Sequence, residues 1–165
     1  MHPRSCRRSR LPPGGFTLVE ALVVVAIVAT LAAVAMPDLS SALANQRLRA
    51  AGTDLVSTLL LARSEAIKRG AQVQVAPLAA GDWKSGWRVV ATETGEQVQR
   101  VEVLGRWVEV GLAPATISFE RNGRLNVIGS TRVEFRDSAG ATGVASRCVT
   151  IDPSGMPRLV ASSCT

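Results

Sequence analysis

From Phe16 to Met36 the chain runs for 21 residues in which Glu20 is the single charged side chain. As a helix rising about 1.5 Å per residue, this run extends roughly 32 Å, close to the ~30 Å hydrocarbon core of a bilayer. A stretch that apolar, on every face, needs lipid or other helices around it. Glu20 is the exception within it. A carboxylate at mid-bilayer is disfavoured by roughly 2.5 to 3.5 kcal/mol, so either a cation or the headgroup region must compensate for it. Arg4, Arg7, Arg8 and Arg10 precede the run and no further Lys or Arg occurs until Arg47. By the positive-inside rule the N-terminus is cytoplasmic and the rest of the chain lies outside.

Charge divides at the same place. The 165 residues carry a formal +6, which suggests nucleic acid until it is apportioned. Removing the four leading arginines from the 19 basic residues leaves fifteen against 13 acidic ones, an excess of two. That balance suits an extracytoplasmic domain and does not by itself mark a nucleic-acid module. The length allows one small domain in addition to the membrane segment. A secretory signal peptide competes for the N-terminus, with Ala33-Val34-Ala35 as its small-x-small site. The apolar run is longer than the usual ~7–15 residues of such a signal, and it contains an acid. A twin-arginine signal through Arg7-Arg8 is weaker, because Pro12, Pro13, Gly14 and Gly15 interrupt the approach.

Helical spacing continues after Met36. Pro37 removes an intrahelical donor and clashes with the preceding turn, which predicts a kink there; Asp38, Ser40 and Ser41 suit a local restart. Leu39, Leu43, Leu48, Leu55, Leu59, Ala62, Ala66 and Ile67 recur mostly at helical spacing, with Gln46, Arg47, Arg49, Asp54, Arg63 and Lys68 on polar faces. Gly70 fits the stop. The pattern predicts one helix of roughly 53 residues, near 80 Å.

Beyond Gly70 the sequence changes to short β-prone runs at 72–76, 86–91, 98–104, 107–110, 116–120, 124–128, 131–136 and 147–151. Asn122-Gly123 predicts a type I′ hairpin between the fifth and sixth of these. Alternation such as Val133 and Phe135 suggests a sheet face packed on the second half of the helix. The expected fold class is therefore α+β, a long N-terminal helix packed on a C-terminal domain of one or two antiparallel sheets.

The residues Gly15-Phe16-Thr17-Leu18-Val19-Glu20, followed by the apolar run and Pro37, resemble the class III signal of type IV pilins and type II secretion pseudopilins. The resemblance implies a pilin-like fold and cleavage by a prepilin peptidase between Gly15 and Phe16, with methylation of the Phe16 amino group. It also gives Glu20 a partner, since the family's matching glutamate faces the amino-terminal charge of a neighbouring subunit in the filament. The physics agrees, because such a pair in a low-dielectric bundle offsets desolvation; snorkelling of Glu20 to the headgroups serves a resting monomer equally well. The segments Leu61–Gly70, Trp83–Val90 and Phe119–Gly123 resemble the GspH/FimT group of minor pseudopilins and minor pilins. The implied organisation is a leader over 1–15, a transmembrane and filament-core helix over 16–36, an amphipathic continuation over 37–70 and a periplasmic β-rich domain over 71–165.

Dividing the chain at Gly15 removes Cys6 and His2, the only histidine. Cys148 and Cys164 remain, an even pair in an oxidising space, and a disulfide is favoured over two free thiols. Without His or Tyr the common acid–base and triad chemistries are gone; no phosphate loop or metal cluster is visible, and neither enzymatic activity nor a cofactor is expected. Trp83, Trp87 and Trp107 are expected in core or loop packing, and Arg63-Ser64-Glu65 in a solvated helix face and sheet contacts, not in chemistry. Two functions follow from different classes. One is a structural subunit of a type II secretion pseudopilus or type IV pilus, held in inner-membrane lipid and docking on other pilins or pseudopilins. The other follows from the FimT resemblance, in which a Gly-Arg-x-Arg type motif serves DNA uptake. Here Ser154-Gly155-Met156-Pro157-Arg158 keeps the glycine and one arginine, so Arg147 and Arg158 are candidate phosphate contacts, with solvated surface arginines as the plainer alternative.

Overall fold

The computed structural model describes residues 16–102 and 104–164, with 34–38 described by backbone alone. Gly15 and the leader lie outside the described residues. One helix, α1 (Leu18–Arg69), is followed by eight strands. The chain divides into two compact units between Pro37 and Asp38.

In the first unit the helical backbone begins at Leu18. The helical assignment runs on through residue 37, while the ring of Pro37, on which the expected kink rests, lies outside the described side chains. No helix among the described residues is long and apolar enough to cross a membrane; the run from Phe16 to Met36 is described with its side chains only as far as Ala33.

In the second unit the helix continues to Arg69 and carries one buried stripe: Ala44, Leu48, Ala51, Leu55, Leu59, Ala62 and Ala66. Every interval is three or four residues, which keeps them on one face. Leu39, Leu43 and Ile67, which the helical spacing also assigns to the apolar set, are exposed. They sit a step away from the stripe. Gly70, with φ 63°, follows the helix, where the left-handed region ends it.

The strands form two four-stranded antiparallel sheets. The first, in the order β3-β2-β1-β5, contains β1 (Val73–Ala79), β2 (Asp82–Ala91), β3 (Gln97–Val101) and β5 (Ile117–Phe119). The second, in the order β4-β6-β7-β8, contains β4 (Val108–Val110), β6 (Thr131–Asp137), β7 (Arg147–Ile151) and β8 (Pro157–Val160). Alternation decides which face each sheet buries. Val73, Val75, Trp87, Val89, Ile117 and Phe119 from the first sheet join Val133, Phe135, Val149 and Ile151 from the second in a single core with the helix stripe. Trp87, fully buried, donates its indole N–H to Thr58 Oγ1 at 3.1 Å, and Trp83 donates to the Pro114 carbonyl at 2.6 Å. Both large rings thus bury without an orphaned donor.

Three expectations are corrected. The run 124–128 forms no strand, contributing only an isolated bridge between Leu125 and Phe119. The Leu125 N–H bonds to the Pro153 carbonyl, 3.3 Å away, while the Asn126 N–H still reaches the Ser118 carbonyl of β5 at 3.0 Å. The turn at Asn122-Gly123 is not type I′, which needs positive φ at two consecutive residues; Gly123 has φ 76°, and among the described residues no non-glycine residue, Asn122 included, has a positive φ. Gly123 N–H donates to the Glu120 carbonyl and Glu120 N–H to the Arg124 carbonyl, the pattern of a longer turn with one left-handed glycine. Last, β8 was not expected, and it completes the second sheet.

Candidate assembly surfaces

The helix start is built from Thr17. Its carbonyl accepts the Ala21 N–H at 3.1 Å, the first helical bond, and its Oγ1 accepts the Glu20 N–H at 3.2 Å. Thr17 is thereby the N-cap, and Thr-Leu-Val-Glu has the spacing of a capping box with Glu20 at its third helical position. A negative charge in the first turn also complements the helix dipole. The Glu20 carboxylate itself has no partner among the described residues. Around it Phe16, Leu18, Val19, Leu22, Val23 and Val24 are all exposed, and so are Ile27, Val28 and Leu31 further on. Thr30, the polar side chain of the stretch beyond Glu20, returns its hydroxyl to the Ile27 carbonyl at 2.8 Å. The surface is apolar on all sides except at Glu20.

The C-terminal candidates separate. Cys148 on β7 and Cys164 are joined by a disulfide with Cα atoms 5.2 Å apart. Arg147, opposite Phe135 in the β6–β7 register, shares the face of the buried Val149 and Ile151, and its Nη2 reaches Asn45 Oδ1 of α1 at 3.4 Å. Arg158 stands opposite Thr150, on the other face. The two arginines considered together for DNA are therefore not brought together.

The tryptophans differ too. Trp83 and Trp87 are core residues, whereas Trp107 is 41% exposed, with the Arg106 guanidinium 4.6 Å and that of Arg47 5.7 Å from its ring centre. The Arg63-Ser64-Glu65 stretch is tied down rather than free. Arg63 donates to the Gly123 carbonyl at 3.1 Å and to Met156 Sδ at 2.9 Å, which fixes two turns to the helix. Glu65 and Glu96 flank Arg69 at 2.8 and 2.6 Å, and the guanidinium holds both carboxyls below their ordinary value of 4.5. Lys68 pairs with Glu65 and Lys84 with Glu109.

Two polar residues gave no sign in the sequence. Asn45 bridges the helix to residues about a hundred positions away, donating to the Gly143 carbonyl and accepting from the Ala145 N–H. Glu134 is 2% exposed on the outer face of β6, one oxygen on Arg136 Nη2 at 2.5 Å and the other without a protein donor. Strand alternation points Glu134 outward, and only the packing of the Leu112 segment beside it, seen in the Glu134 N–H to Leu112 carbonyl bond, accompanies its burial.

Residues 51–155 match the family described as type II transport protein GspH, and residues 13–36 match the prokaryotic N-terminal methylation motif. No functionally curated protein is significantly similar in sequence. Among solved structures, the chain is similar to the type IV minor pilin FimU of Pseudomonas aeruginosa, with TM-score 0.58 and 17% identity over 72% of this chain and 90% of that one. A second crystal form of FimU gives 0.54 and 22%, covering 68% and 91%. The minor pseudopilin EpsH from the type 2 secretion system of Vibrio cholerae gives 0.54 and 15%, covering 70% and 97%. These likenesses establish the fold, a long helix on antiparallel sheets.

Proposed function

The chain belongs to the GspH family of type II transport proteins, and on that premise we propose that it works as a minor pseudopilin, a non-enzymatic subunit of a type II secretion pseudopilus. The observation that carries the reading is the N-terminal unit, a helix apolar on all sides with a single unpartnered carboxylate at its capped start. Such a surface favours lipid in the resting subunit and neighbouring helices in a filament.

In this reading a prepilin peptidase cuts between Gly15 and Phe16 and the new Phe16 amino group is methylated. The new ammonium lies one helical turn from Glu20, so an axially shifted neighbour presents its own ammonium to that carboxylate. Charge neutralisation inside the bundle offsets the desolvation of both groups. Residues 16–36 then serve as inner-membrane anchor and filament core, 37–70 as the amphipathic continuation and 71–165 as the periplasmic domain. The arginines before Phe16 keep the N-terminus cytoplasmic, and the Cys148–Cys164 disulfide suits the oxidising side. Pro37 is the point at which the helix is proposed to kink. The pseudopilus is preferred to a type IV pilus on the family match over residues 51–155.

Mass analysis of the chain from cells tests the processing, with N-methyl Phe16 as the expected N-terminus; a start at Met36 would mark a cleaved signal peptide and overturn the reading. Glu20→Ala tests the assembly role. Membrane insertion should persist while incorporation into the pseudopilus fraction falls at least about tenfold, as expected for loss of a desolvated ion pair; incorporation at the wild-type level would remove Glu20 from the mechanism.

A further inference from the structure

Behind β7 the second unit holds a pocket of about 270 Å³ lined by Arg49, Arg147, Leu159 and Ala161. Arg49 is exposed on α1, one turn beyond Asn45. Arg147 is half-buried, held by the neutral Asn45 Oδ1, and its Nη1 is shut off from solvent without an acceptor. Neither guanidinium has a carboxylate partner among the described residues. Arg69, Lys68, Lys84, Arg100 and Arg136 are paired with acids; what sets Arg147 apart is that its Nη1 is closed to solvent with no acceptor. A part-desolvated cation without a counter-charge is unfavourable in an isolated domain. An arriving anion relieves that cost.

The shape of the pocket selects the anion. The exposed Arg49 offers the planar donor fork that matches a carboxylate, Arg147 adds a second positive charge in the wall, and Leu159 with Ala161 supplies apolar wall for the methylenes of the side chain that carries it. A duplex backbone would call for cations spread over one surface, but Arg158 lies on the opposite face of the sheet. We propose that the Arg49–Arg147 pocket is a docking site for an Asp or Glu side chain of a neighbouring pseudopilin. The inference rests on the pseudopilin reading and adds to it the surface and the chemistry of one contact. Seating the carboxylate neutralises a cation that the free subunit leaves half-desolvated, so the contact favours the assembled state over the monomer.

The test uses the full chain in cells that overproduce its own secretion system's pseudopilins, with a benzophenone amino acid placed at Ala161 and the filament fraction isolated after irradiation. The expected adduct joins another pseudopilin at a peptide containing Asp or Glu. Arg49→Glu should lower its yield about tenfold, Arg49→Lys, which keeps the charge and loses the fork, should fall between that and wild type, and changing the partner's acid to Lys should restore it in the Arg49→Glu background. Arg147→Gln, which keeps an amide able to meet Asn45, should lower the yield similarly and guards against a folding defect, read as protease resistance of the membrane-embedded chain. An adduct lacking an acidic residue, one insensitive to both variants, one to nucleic acid or lipid, or none from a chain present in the filament would each overturn the docking site. Absence of the unlabelled wild-type chain from the filament would instead overturn the pseudopilin reading on which it rests.

Discussion

Gly155 and Gly123 illustrate how much a single atom decides. Gly155 has φ 83°, and a Cβ there would run into the carbonyl oxygen of Gly123. A Cβ on Gly123 would meet Ile67 Cδ1 at 2.6 Å. The turn before β8 therefore lies directly on the turn after β5, and Arg63 clamps the pair through the Gly123 carbonyl and Met156. Gly155→Ala should destabilise the chain by about 2 kcal/mol or more, from the left-handed backbone cost plus displacement of the facing turn; a thermal midpoint within a degree or so of wild type would contradict this close approach. In the sequence Gly155 stands out as a glycine between Pro153 and Pro157 and as the one kept from the Gly-Arg-x-Arg type motif. Its facing partner is more than thirty residues away, so local reading cannot supply the reason it must be glycine. Glu20 is the reverse case, since its misfit in an apolar run needs no tertiary information.

Among the elements, the end of α1 is joined to the β2–β3 connection by charge. Arg69 sits between Glu65 and Glu96, and both carboxyls are held low by their hydrogen bonds to it. A carboxyl lowered on folding contributes stability that is complete above its unfolded value of 4.5 and is lost as pH falls through the lower folded value. Thermal unfolding of the full chain in detergent should therefore show wild type ahead of Arg69→Gln above that value, with the gap closing as the solution is acidified below it. A gap independent of pH would mean that Arg69 acts through packing alone. The helix and seven of the eight strands were legible from periodicity and β-branched content. What periodicity missed was β8, whose four residues begin at a proline and carry one arginine, and the failure of 124–128 to extend. Both depend on a competition for hydrogen bonds between segments remote in sequence.

For the whole molecule, the arrangement of arginines decides between partners. Outside the leader the net charge is small, and the two arginines considered for phosphate lie on opposite faces of one sheet. Titration of the full chain in detergent with duplex DNA at two salt concentrations should show no salt-sensitive binding; a slope of several counterions would restore the DNA reading. The sequence by itself determined the class of this protein, because a charge in an apolar run and a helical period changing to a strand period are properties of neighbouring residues. Burial follows periodicity wherever one face of an element meets one core. Only the tertiary structure decided which charges are paired, because pairing depends on segments brought together from across the chain: Asn45 with β7, Arg69 with Glu96, Arg63 with two turns. The same folding left Arg49 and Arg147 lining one pocket with no carboxylate paired to either among the described residues, a juxtaposition that no spacing along the chain encodes.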